Sequence, residues 1–186
     1  MIENEFKIML TREQYETLYA AYEWDREIVQ TNNYYDTPEL ELSQRHITCR
    51  VRATKEGAAL QMKFPNGTES FSRVELEQEL SCVPERLSAE LLNGLAGGYI
   101  GGLPAAARLG QLTTKRCVKQ FDGAELDLDM STYFSRTDYE AEIEFTDEET
   151  ARALRKQMSE LAGLPECADV CEGKIRRFLT EYKKHR

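Results

Sequence analysis

No stretch of this 186-residue chain stays apolar for the roughly 18–20 residues that a helix needs to cross a bilayer. Histidine is scarce, with only His46 and His185. The five cysteines (Cys49, Cys82, Cys117, Cys167 and Cys171) form an odd set, and neither their spacing nor the number of ligands supports a zinc site. Without a secretory context, such a set points to free thiols in a reducing cytosol. A basic surplus is missing too. The formal net charge of −9 argues against nucleic acid as the main partner, although a small phosphate ligand in an internal basic pocket stays compatible with it. The opening residues MIENEFKIML carry acids where a signal peptide carries its basic region, so the expectation is a cytoplasmic protein with no membrane partner. With no internal repeat, low-complexity segment or linker, the sequence predicts a single domain over 1–186.

What is present is balance and alternation. Hydrophobic residues make up 41% of the chain and charged residues 31%, which fits a folded globular protein and not a disordered one. In residues 2–10, Ile2, Asn4, Phe6, Ile8 and Leu10 fall on one face, and Glu3, Glu5, Lys7 and Met9 on the other. Thr11-x-x-Gln14 is a capping box, opening a helix that carries Tyr15, Leu18, Tyr19 and Tyr22. Further strands are predicted over 26–35, 46–54, 58–64, 69–80, 111–120, 123–130 and 138–146. Gly57, Asn66-Gly67 and Asp122-Gly123 supply turns that join several of them as antiparallel hairpins. A short helix is expected over 84–95 with Pro84 in its first turn, followed by an irregular connection from Gly97-Gly98 to Ala107. Thr146-x-x-Glu149 is read as the cap of a second long helix ending near Gly163-Leu164-Pro165, and a last helix is expected near 170–183. Eight antiparallel strands with few helices indicate an all-β or α+β domain of the kind that closes into a barrel.

The informative feature is which charged residues share a strand face, because side chains two apart point the same way. Glu3, Glu5 and Lys7 do so on the first strand, Arg50 and Arg52 on the third, Gln61 and Lys63 on the fourth, and Arg73, Glu75, Glu77 and Glu79 on the fifth. Arg116 follows Thr114, Asp127 and Asp129 alternate with leucines, and Glu140, Glu142 and Glu144 alternate with Ala141, Ile143 and Phe145. On any one strand this is what a solvated face looks like. Recurring on strand after strand with both signs, it fits better with a polar interior around a bound polyanion and its metals, since burying an ion costs several kcal/mol unless it is paired. Carboxylates suit Mg2+ or Mn2+, arginine forks suit phosphate, and no nucleophilic cysteine or Ser–His pairing is evident. Attack by a metal-positioned water is then the simplest mechanism.

Glu3-Asn4-Glu5-Phe6-Lys7 is similar to the E-x-E-x-K signature of CYTH proteins, the triphosphate tunnel metalloenzymes. Tyr34-Tyr35-Asp36-Thr37 resembles the aromatic-Asp segment of that family, Arg50-x-Arg52 its R-x-R pair, and Lys63 its next lysine. Arg73-x-Glu75-x-Glu77, Arg116, Asp127, Glu142-x-Glu144 and Lys174 in Gly173-Lys174-Ile175-Arg176-Arg177 continue the series in order. The resemblance implies an α+β fold built on a closed eight-stranded antiparallel β-barrel, or tunnel, with flanking helices. It further implies that Glu3, Glu5, Asp127 and the acidic run Glu140, Glu142 and Glu144 ligate Mg2+ or Mn2+. Which two of that run do so stays open. Lys7, Arg50, Arg52, Lys63, Arg73, Arg116 and Lys174 would grip phosphates, with Glu5, Lys7 and Arg52 carrying catalysis. The implied activity is hydrolysis of inorganic triphosphate or a triphosphorylated small molecule such as thiamine triphosphate, by a monomer or homodimer. Two alternatives remain open from the residues: a class IV adenylate cyclase, although no adenine-reading motif is visible, and a non-catalytic polyphosphate- or nucleotide-binding module.

Overall fold

The computed structural model describes residues 4–65, 73–165 and 171–186. In chain order the elements are β1 (Glu5–Leu10), α1 (Arg12–Ala21), β2 (Arg26–Asp36), α2 (Glu41–Gln44), β3 (Thr48–Thr54), β4 (Gly57–Pro65) and β5 (Arg73–Leu80). They continue with β6 (Arg86–Leu87), α3 (Ala89–Ala96), β7 (Ala106–Phe121), β8 (Ala124–Tyr133), β9 (Arg136–Phe145), α4 (Glu148–Ala162) and α5 (Lys174–Tyr182). The fold is α+β, an antiparallel sheet with flanking helices. Its hydrogen-bonded strand order is β1-β9-β8-β7-β2-β3-β4-β5, with β6 on β7. The order has two ends, β1 and β5, so among the described residues hydrogen bonds do not close the expected eight-stranded barrel. No helix of the described residues is long and apolar enough to cross a membrane.

The chain divides into two compact units, Met1–Val29 with Thr113–Lys174, and Gln30–Leu112 with Ile175–Arg186. In the first unit the register sets Glu5, Lys7 and Met9 of β1 opposite Glu144, Glu142 and Glu140 of β9. The same β9 residues stand opposite Glu125, Asp127 and Asp129 of β8, and Arg116 of β7 stands opposite Asp129. Directly opposed residues of an antiparallel pair point to the same side, so all of these share one face. The other face carries Ile8, Leu10, Cys117, Leu126, Leu128, Ala141 and Ile143, which pack with Leu18 of α1 and Ala151, Leu154 and Met158 of α4. Each fully buried aliphatic side chain there contributes about 1.5–3 kcal/mol, and this pins the register, because a one-residue slip would turn the carboxylates away from their cations into the apolar layer under α1 and α4.

The second unit repeats the plan. Cys49, Val51, Leu60, Met62 and Phe64 form one face and pack with Leu87, Leu92, Ala96 and Leu103. The opposite face sets Tyr34 against Arg50, Asn32 against Arg52, Arg50 against Gln61, and Lys63 against Glu75. Its β2–β3 connection is locked by Asp36, whose buried carboxylate accepts hydrogen bonds from the backbone N–H groups of Thr37, Leu42 and Ser43 and from the Ser43 hydroxyl.

Local signals were mostly decisive. Both arms of the Thr11–Gln14 capping box form. The cap of α4 is Asp147 and not Thr146, because the Asp147 carboxylate accepts from the N–H groups of both Glu149 and Thr150. The helix expected over 84–95 begins instead at Ala89, capped by the Ser88 hydroxyl, and the residues before it form the short strand β6. The predicted irregular connection ends at Ala106, where β7 starts well before residue 111. Residues 69–72 of the predicted fifth strand lie outside the described residues.

The β7–β8 turn provides a test of this packing. Gly123 has φ +82, and a Cβ added there would lie 2.8 Å from Cβ of Asp147, the cap of α4. Gly123→Ala is therefore expected to cost about 1–3 kcal/mol, read as a lower urea midpoint at unchanged slope. An unchanged midpoint would contradict the close approach.

Candidate functional site

On the charged face of the first unit, Glu5, Asp127, Asp129, Glu140, Glu142 and Glu144 gather about two strand-borne cations, Lys7 and Arg116, with Lys174 at the head of α5 as a third, while Glu125 on the same face pairs with Arg26. Lys7 Nζ lies 2.9 Å from Glu142 Oε1 and 3.3 Å from Glu5 Oε1. The Arg116 fork donates from Nε and Nη2 to the two oxygens of Asp129, at 2.8 and 2.7 Å. Its Nη2 also donates to Glu142 Oε2 at 2.6 Å, and its Nη1 faces Asp127. Lys174 Nζ lies 2.8 Å from Asp129 Oδ2 and 3.0 Å from Glu142 Oε1, and also pairs with Glu140.

Burial makes these charges matter. Asp127, Asp129 and Glu140 are fully buried and Glu142 nearly so. Burial pulls the Lys7 ammonium down, but Glu142 and Glu5 outweigh it and hold its pKa above the ordinary lysine value. For Arg116, Asp129, Asp127 and Glu142 likewise overcome the desolvation of the guanidinium and raise its pKa. Lys174 goes the other way, pulled down to about 8 by burial, with Asp129 opposing and Arg116 assisting. Desolvation also works against the Asp129 anion, yet Lys174 and Arg116 bring its pKa below the usual value. Asp127 is the residue left over: both oxygens lack a hydrogen-bond partner among the described residues, and burial pushes its pKa up to about 7 despite Arg116.

The donor set fits a hard divalent cation. Two groups of carboxylates present oxygens within 4.8 Å of one another, Glu5 with Glu142 and Glu144, and Asp129 with Glu140 and Glu142. All the donors are carboxylate oxygens, the ligand type that hard divalent cations take. Glu142 belongs to both groups, so it is the member of the acidic run with the strongest claim as a ligand. Glu3 and the side chain of Arg73 lie outside the described residues.

In the second unit the Nε groups of Arg50 and Arg52 donate to neutral side chains, whereas Lys63 meets a carboxylate. Arg50 Nε donates to Gln61 Oε1 at 2.8 Å, and the Gln61 amide in turn donates to Glu77. Arg52 Nε donates to Asn32 Oδ1 at 3.1 Å, while Lys63 pairs with Glu75. Burial holds the Tyr34 phenol neutral with a raised pKa, against the pull of Arg50 and Arg52. Arg45 is committed elsewhere, donating to the carbonyls of Gly101 and Gly102. Sequence reasoning passed over Asn32 and the degree to which Asp129, more than Asp127, ties the cluster together. The signal for Asn32 was its place two residues before Tyr34 on the same face.

The chain matches the CYTH domain family model over residues 1–169. No curated protein matches it. Among solved structures it is similar to a candidate adenylate cyclase of Bacillus halodurans, with 24% identity, 95% of this chain and 97% of that one covered, and a TM-score of 0.73. It is also similar to a Hippeastrum protein described as a candidate adenylyl cyclase with a dominant triphosphatase activity, with 20% identity, 96% of each chain covered and a TM-score of 0.72. A Pyrococcus horikoshii protein follows at 19% identity, 96% and 99% coverage and a TM-score of 0.62. At these identities the likeness establishes the shared fold.

The buried acid cluster sets a pH dependence. Asp127 titrates near 7 in the folded protein and near 3.8 when unfolded, so between these values the folded state binds the extra proton. Its contribution to stability therefore falls as pH rises from about 4 to about 7. Asp127→Asn is expected to remove that decline and raise the melting temperature of metal-free protein at pH 8. Melts across pH 4–8 check this, and an undiminished decline in the variant would assign it to another group.

Proposed function

Because this chain belongs to the CYTH domain family, we propose that it is a divalent-metal-dependent phosphohydrolase that cleaves inorganic triphosphate or a triphosphorylated small molecule. The observation that carries the reading is the carboxylate-rich face of β1, β9, β8 and β7, whose all-oxygen donors suit Mg2+ or Mn2+. The arginine and lysine face of β2, β3 and β4 supports a polyanionic substrate. Closure of the sheet into a tunnel is part of the proposal, and the recurrence of charge on one face of successive strands supports it.

In this reading Glu5, Glu142 and Glu144, with Asp127 and Glu3, hold the metal. Arg50, Arg52, Lys63 and Lys7 grip phosphate oxygens, and Arg73 remains part of the proposed set. Gln61 and Asn32 take the Nε of Arg50 and Arg52, which orients each guanidinium. Arg116 is turned to the carboxylates, so its role is to hold Asp127, Asp129 and Glu142 in place before substrate arrives. A bound Mg2+ or Mn2+ would neutralise phosphate charge and activate a coordinated water. The two buried thiols do not compete as nucleophiles: burial pushes Cys49 up to about 12 and Cys117 up to about 11, so neither is a thiolate at neutral pH. Cys49, Cys82, Cys117 and Cys171 are all free, which supports a reducing, cytoplasmic setting.

A screen of phosphate release with Mg2+ and Mn2+ over tripolyphosphate, thiamine triphosphate and ATP tests the proposal. Metal-dependent release is expected from at least one of them, abolished by EDTA and lowered about 100-fold by Glu142→Gln. Glu160→Gln, on the exposed side of α4, should leave the rate unchanged. Cyclic AMP and pyrophosphate from ATP would replace the hydrolase with a cyclase, and binding without turnover would replace it with a sensor.

A further inference from the structure

The ammonium of Lys174 stands among the carboxylates of one of the two candidate metal groups. Its Nζ pairs with Asp129, Glu140 and Glu142, and these three residues present oxygens within 4.8 Å of one another. An ammonium has three donors, and three carboxylates take them. A second observation concerns Asp127, fully buried and directly opposite Glu142: it pairs with Arg116, yet neither of its oxygens has a hydrogen-bond partner among the described residues. Three carboxylates this close enclose one cation. An ammonium and a divalent ion in the same enclosure would repel at short range, where little water screens them.

We propose that Lys174 is an exchange residue that makes cation binding at Asp129, Glu140 and Glu142 conditional on the polyanion. Without ligand its ammonium fills the group. A divalent cation takes that place when phosphate oxygens receive the ammonium, which swings on its flexible four-carbon stem. No bond forms or breaks; two cations trade partners. The consequence is a preference for substrate class, because the ligand must carry enough anionic oxygens to hold both the metal and Lys174. A triphosphate chain does so, and orthophosphate does not. The exchange rests on the triphosphate reading of the same site.

Calorimetric titration of the full chain with Mn2+ at constant ionic strength, with and without a methylene-bridged triphosphate analogue, tests it. Wild-type protein should bind Mn2+ alone weakly and at least about tenfold more tightly with the analogue present. Lys174→Met should bind Mn2+ alone at least about tenfold more tightly than wild type, and the boost from the analogue should shrink by a similar factor. Should the variant fail to fold in metal-free buffer, millimolar Mn2+ alone must restore its circular dichroism and cooperative melt. Lys174→Met binding Mn2+ no more tightly than wild type, or Mn2+ failing to restore the fold, overturns the exchange. A gain in Mn2+ affinity without phosphate release by wild type sinks the triphosphatase reading and leaves the lysine-for-metal trade standing. Turnover without that gain sinks the exchange alone.

Discussion

Negative charge crowded onto one face of β1, β9, β8 and β7 is the constraint from which the rest of the first unit follows. An unpaired buried carboxylate costs several kcal/mol, and breaking a buried pair leaves its partner uncompensated. The structure answers with shared partners: Arg116 spans Asp127, Asp129 and Glu142, and Lys174 spans Asp129, Glu140 and Glu142. Asp127 shows where this compensation ends, with a pKa pushed to about 7. A divalent cation and a polyanion together would supply what the side chains alone do not. Such a site is held in place by the apolar reverse face, where α1 and α4 cover the strands and forbid a slip of register.

The two units balance charge differently. Carboxylates dominate the described face of the first, whereas Arg50, Arg52 and Lys63 share that of the second with Glu75, Glu77 and Glu79. In the second unit the arginines lean on Gln61 and Asn32, neutral acceptors that orient a guanidinium without cancelling its charge. A carboxylate in either place would hold the arginine as well, but would weaken its pull on phosphate. Asp36, the acid of the Tyr34-Tyr35-Asp36-Thr37 segment, is engaged by backbone N–H groups, so its part is architectural.

Alternation made the faces legible from the sequence, because period-two patterning needs no knowledge of partners. Glu5 with Lys7, Arg50 with Arg52, and Asp127 with Asp129 could be assigned to common faces directly. Register could not, since it depends on which strand lies beside which. Only the pairings of Glu5 with Glu144 and of Asp129 with Glu140, on the two edges of β9, show that Glu142 joins both carboxylate groups. Caps were legible to within a residue: Thr146 and Asp147 both offer a side-chain oxygen, and the carboxylate that reaches two N–H groups prevails. Ser88 displaced Pro84 as the start of α3 because the chain first adds a strand to β7, a tertiary pairing that local propensity does not encode. Barrel closure, inferred from strand number, is not a property that strand number determines.

The most direct measurement is anomalous diffraction from a crystal soaked with Mn2+ and a non-hydrolysable triphosphate. The expected result is a manganese peak coordinated by Glu142 and by phosphate oxygens. Manganese bound away from Glu142, or bound there without phosphate oxygens, would contradict it.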